Sequence, residues 1–171
     1  QPGAPFVDVL QFPTIEHYAP WAIGIDWTDG IAYYTSAGFY IPVPGAGSLE
    51  VRRFNVLTNT QLTPFAVIPL IASANSGLKG VYPVPGVGVF VANGPVLQLY
   101  SFAGILVRTY TPSSAENSQS LCGIRVTNSK GHVWVHDEVT CTFFQFNIAT
   151  GVQTNMFETM GLPGTSVDFE I

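Results

Sequence analysis

The chain has 171 residues, with 6 Lys and Arg against 11 Asp and Glu, a formal net charge of -5 and a pI near 4.9. Charged residues make up only 10% of it, while 47% hydrophobic and 13% aromatic residues supply material for a core, which excludes intrinsic disorder. An acidic chain this poor in basic residues lacks the electrostatic term on which nucleic-acid affinity rests and is repelled by anionic membrane surfaces, so neither is an expected partner. Mean hydropathy is +0.30, yet the apolar run at 67–72 is interrupted by Pro69 and is far shorter than the roughly 20 residues a membrane span needs.

Alternation of apolar and polar residues over short stretches rich in Val, Ile, Tyr, Phe and Thr, broken by Gly, Pro and Asn, marks strands throughout. A first strand is expected at 6–12, followed by Glu16, His17 and Tyr18. Residues 22–26 and 31–35 flank a turn at Thr28, Asp29 and Gly30. A loop inserted at 38–47, carrying Phe39, Tyr40 and two prolines, separates these from a strand at 49–55 and a segment ending near Phe65. After Asn75 and Ser76 come strands at 80–82, 88–92, 96–102 and 105–110, punctuated at Pro85-Gly86, Asn93-Gly94-Pro95 and Ala103-Gly104. Beyond Asn117, Ser118 and Gln119 the rhythm repeats with strands at 123–127, 132–136, 142–147 and 152–158.

Once the inserted loop is set aside, the unit recurs with a period of about 43 to 48 residues, which fits four-stranded propeller blades. A sandwich or jelly roll, the rival all-β architecture, would show alternation without a period. The run Ala22-Ile23-Gly24-Ile25-Asp26-Trp27-Thr28-Asp29-Gly30-Ile31-Ala32-Tyr33-Tyr34 resembles the blade opening of YWTD, NHL and gluconolactonase-like propellers, of six-bladed type. There an Ile-x-Val-Asp strand, a Gly turn and an aromatic strand recur. Gly164-Thr165-Ser166-Val167-Asp168 resembles the same opening again. The expected fold is therefore all-β, a β-propeller of four-stranded antiparallel blades, with complete blades at about 22–66, 79–111 and 122–158. A closing outer strand is expected within 1–14 and the inner strand of a further blade at 164–171. Rings commonly need about 4 to 8 blades, so further blades are expected from the same parent chain or from another subunit.

In that architecture Glu16, His17, Tyr18, Asn75, Asn117 and Ser118 all precede inner strands, where the crossovers between blades surround one mouth of the central channel. Together with Phe39 and Tyr40 of the inserted loop they form the expected ligand-binding set. The alternative for each is solvated loop polarity, or a loop folded back on its own blade. The resemblance to gluconolactonase-like propellers implies a carboxylate ahead of the first inner strand holding a divalent cation, and Glu16 stands there, without a matching Asn and Asp set. Otherwise no cofactor is expected. His132, Trp134 and His136 share one face of a strand, and the two histidines lie about 13 Å apart, too far to grip one metal. Asp137 and Glu138 supply fewer oxygens than a calcium ion takes. Cys122 and Cys141, one opening a first strand and the other a third, are too far apart to pair and read as structural thiols. No nucleophile elbow, Walker loop, zincin or dinucleotide-binding motif is present.

The sequence opens at Gln1 without a Met or a basic n-region, as a processed chain would, and an extracellular location is expected. The functional expectation is a secreted or surface-exposed module that binds a protein or a glycan, or assembles with other subunits. The alternative is part of a metal-dependent lactonase- or lyase-type propeller enzyme with its site at the channel mouth.

Overall fold

The computed structural model describes residues 22–35, 48–71, 77–113 and 120–159. These form strands alone, in three antiparallel sheets that follow one another along the chain. Blade 1 holds β1 (Ile23–Asp26), β2 (Ile31–Thr35), β3 (Ser48–Asn55), β4 (Thr60–Gln61) and β5 (Ala66–Pro69). Blade 2 holds β6 (Leu78–Val84), β7 (Gly88–Asn93), β8 (Val96–Tyr100) and β9 (Leu106–Tyr110). Blade 3 holds β10 (Leu121–Val126), β11 (His132–Asp137), β12 (Thr142–Asn147) and β13 (Gln153–Glu158). Both β4 and β5 pair with β3, at opposite ends of it, so they are two pieces of one outer strand. The stretch between them is pinned by Arg53, whose guanidinium donates to the Thr63 carbonyl at 3.2 Å and to its hydroxyl at 3.0 Å. The strands expected at 6–12 and 164–171 lie outside the described residues.

A single turn design closes four of the hairpins. Asp26, Asn55, Asp137 and Asn147 each end a strand and accept, on Oδ1, an amide two or three residues on, at 2.8–2.9 Å at the shortest. Four residues after each, the backbone swings into the left-handed region, at Gly30, Asn59, Cys141 and Gly151, with φ of 66°, 54°, 53° and 79°. The short Asx side chain bonds its own turn, and the left-handed residue then returns the chain to the pleat. Asp26 thus caps the turn that follows β1.

The blades pack face to face through two apolar layers. Between blades 1 and 2 lie Tyr33, Val51, Phe65 and Ile68 against Val81, Val89, Val91 and Tyr100. Phe65 meets Tyr33 and Tyr100 edge-on, at 5.3 and 6.3 Å between ring centroids. Between blades 2 and 3 lie Phe90, Leu97, Leu99 and Tyr110 against Ile124, Val133, Val135, Phe144 and Phe146. The period-2 alternation of β7 therefore feeds both layers, with Val89 and Val91 turned to blade 1 and Phe90 and Ala92 to blade 3. The inner strands crowd together. A Cβ on Gly24 of β1 would stand 2.6 Å from the Val81 carbonyl oxygen of β6, so only glycine permits this approach.

Candidate functional site

Three pairings define one end of the blades. Ile23 faces Tyr34, Leu78 faces Asn93 and Leu121 faces Asp137, so in every blade the first strand begins where the second ends. The described residues that border the segments expected to carry the ligand set lie at this end. Glu16, His17, Tyr18, Phe39, Tyr40, Asn75, Asn117 and Ser118 themselves lie outside the described residues.

Backbone and amide hydrogen bonds weld this end together across the blades. Asn93 is wholly buried; its Nδ2 donates to the Pro69 carbonyl at 2.9 Å and to Gln98 Oε1 at 3.0 Å, and its Oδ1 accepts the Ile71 amide at 3.2 Å. The chain is thereby held as it passes from blade 1 to blade 2. The Gly94 amide donates to the Gly77 carbonyl at 3.1 Å, and the Leu121 amide to the Gly94 carbonyl at 2.8 Å, which carries the link on to blade 3. Beside it, Lys79 of β6 forms an ion pair with Glu138, whose carboxylate also accepts the Ser120 hydroxyl at 2.7 Å. The side chains of this pair are only 17% and 14% exposed, so the charges satisfy each other within the joint between blades 2 and 3. The sequence reading missed Asn93, Lys79 and Ser120. Asn93 sits in an Asn-Gly-Pro run that reads as a turn, and nothing local shows that its partners lie a blade away.

His132, Trp134 and His136 do share one face of β11, the face turned away from blade 2, with Val133 and Val135 on the other. Their depths differ. His132 and Trp134 are half-buried, whereas His136 is fully buried beside Cys122, with Nδ1 3.5 Å from Sγ. A train of rings crosses this face: His136 on Phe143 at 4.5 Å, Phe143 stacked on Phe157 at 4.8 Å, and Trp134 edge-on to Phe157 at 5.5 Å. Burial, aided by the Glu138 carboxylate, pushes the Cys122 thiol up to about 12, so it stays protonated at neutral pH and is not an activated nucleophile. Neither cysteine is in a disulfide, and both are buried. Cys141, expected to open a strand, instead occupies the last position of the turn before β12. Among the described residues no three of His, Cys, Asp and Glu gather as a metal site.

At the outer rim, a shallow groove of about 450 Å³ separates the outer strands of blades 2 and 3, lined by Thr111, Ser113 and residues 152–156. Three bonds stitch its walls together: the Ser113 amide to Gln153 Oε1 at 2.9 Å, Arg108 to the Thr150 carbonyl at 2.9 Å, and the Tyr110 hydroxyl to the Ile148 carbonyl at 3.0 Å. Apolar side chains stand out in solvent on both outer strands and the turns leading into them: Ile105 (66%), Leu106 and Val107 in blade 2, Val152 (60%), Met156 and Phe157 in blade 3.

No protein-family model matches the chain, and no curated protein does. Among solved structures it is similar to a chain of a crystal structure of a nidogen/laminin complex, with a TM-score of 0.58 at 12% identity over 82% of this chain. It spans 47% of the length of that chain. At this identity the likeness concerns the fold. Together with the three successive four-strand blades and the absence of helix among the described residues, it makes this an all-β chain of β-propeller architecture.

Proposed function

We propose that this chain is a protein-binding propeller module and that its outer rim takes part in the contact. The observation carrying this is the set of exposed apolar residues on and just before the outer strands, Ile105, Leu106 and Val107 in blade 2 and Val152, Met156 and Phe157 in blade 3, of which Val152 and Met156 line a groove with otherwise neutral polar walls. Isolated exposed apolar side chains are ordinary, but a cluster along one rim with polar neighbours is the composition of a contact surface. The similar chain comes from a complex of two proteins, which agrees with this reading. A surface-exposed or secreted setting, and further blades from the parent chain or another subunit, belong to the same proposal. The glycan reading and the lactonase- or lyase-type reading rest on residues outside the described ones, and no observation among the described residues favours either.

The test is a binding screen against arrays of extracellular proteins and of glycans, run with the wild type and with Val107→Asp and Met156→Asp. Both positions are exposed, so unfolding curves should stay within about 0.5 kcal/mol of wild type. A protein ligand whose affinity falls at least tenfold with either substitution supports the proposal. Glycan binding alone, or a protein ligand indifferent to both substitutions, overturns it, and loss of stability on chelation would favour the metal-dependent reading.

A further inference from the structure

We propose that blade 3 carries an acid-sensitive latch, in which protonation of His136 loosens the joint between β10, β11 and the aromatic face of β12 and β13. His136 lies at the end of β11, where its ring is closed off from solvent. On one side stands the Cys122 thiol of β10, on another the Phe143 ring of β12, and among the described residues Nε2 has no hydrogen-bond partner. The groups around it are fixed in other bonds. Asp137 caps the turn through the Val139 and Thr140 amides, and Glu138 holds Lys79 of β6 and the Ser120 hydroxyl. From β13 come Phe157, behind Phe143, and Glu158, paired with Thr142; Cys141 precedes β12. An imidazolium at this position would be a charge cut off from water, with its Nε2 proton unbonded among the described residues; the Phe143 ring face offsets only part of the lost hydration, and opening the blade restores it.

The direction of the effect follows from proton linkage. Burial holds the His136 ring below its ordinary value of 6.5, the Asp137 and Glu138 carboxylates opposing this less strongly. The unfolded chain therefore takes up a proton near pH 6.5 that the folded chain refuses until lower pH. Stability from this group is complete above pH 6.5 and declines below it, by up to about tenfold in the folded-to-unfolded ratio per pH unit. Carboxylates, with ordinary values near 4, add little between about pH 6.5 and 5.5.

The experiment is urea unfolding at pH 7.5, 6.5 and 5.5 of the wild type, of His136→Gln and of His132→Gln. Wild type and His132→Gln should lose up to about tenfold in the folded-to-unfolded ratio between pH 6.5 and 5.5, and His136→Gln should lose much less. A flat wild-type profile, or an acid response retained in His136→Gln, overturns the proposal. Should His136→Gln fail to fold, the ring resonances of wild-type His136 decide: they should stay in the neutral position until the blade opens. Titration near pH 6.5 in the folded protein overturns the proposal.

Discussion

Cys122 shows how far a single position can be read from the chain alone. Its spacing from Cys141 argues against a disulfide, and the structure agrees, with the two thiols unbridged and buried. The sequence does not show that Cys122 faces His136 across β10 and β11, since that pairing follows a register shift between Cys122 and Ile124. Likewise, alternation places His132, Trp134 and His136 on one face, but period 2 assigns faces and not depth across a blade. The Cys122 thiol has a measurable consequence. It is held near 12 in the folded chain against about 9.0 when unfolded, so the folded state keeps a proton that the unfolded state releases. The stability it contributes is complete below pH 9 and is lost as pH rises toward 12. Tyr33, Tyr34, Tyr100 and Tyr110, raised above 10.0 by burial, add their own loss as pH approaches 10. Between pH 9 and 10 stability in urea should therefore fall in both wild type and Cys122→Ser, and fall further in wild type, by up to about tenfold more in the unfolding constant; equal losses would show that the thiol contributes nothing.

At the scale of the element, strands were the most legible feature and their turns the next. β2 lies at Ile31–Thr35, where the sequence predicts it, because a short run rich in Ile, Tyr and Thr follows a Gly turn. Cys141 was misplaced because a cysteine reads as a small strand hydrophobe, while the left-handed slot it fills is usually given to Gly or Asn, as at Gly30 and Asn59. The β6–β7 hairpin offers a test of what its glycines do. Gly88, at φ 146°, lies where a Cβ would come within 2.2 Å of the Tyr100 carbonyl oxygen, whereas Gly86, at φ 79°, has open space around it. Gly86→Ala should lower stability by about 1 kcal/mol through its left-handed backbone alone. Gly88→Ala must also displace β8 and should lower it by roughly 3 kcal/mol or more. Equal losses in thermal or urea unfolding would show that the close approach to Tyr100 is not what fixes glycine at position 88.

For the whole molecule, the blade rhythm could be read because nearly every strand pairs with its neighbour in sequence. The joints between blades could not, because their partners are distant along the chain: Asn93 reaches Pro69 across 24 residues and Lys79 reaches Glu138 across 59. The expected binding set remains a proposal, since its residues lie outside the described ones. The Lys79–Glu138 pair should hold blades 2 and 3 together chiefly by leaving no charge uncompensated. Either Lys79→Met or Glu138→Gln alone should destabilise by about 3 kcal/mol, and the double substitution by clearly less than the sum, in a double-mutant cycle of urea unfolding. Additive losses would mean that the two charges act independently. The nearest-neighbour order of the sheets also bears on how the chain reaches its fold. Each hairpin closes over a short stretch of chain, so the loop entropy lost at every step is small, and a blade can form its own ladder before the next has left the ribosome. Until that next blade arrives, the newest sheet presents one bare apolar face, which makes the pace of synthesis, and not the final stability, the point at which such a chain is most open to aggregation.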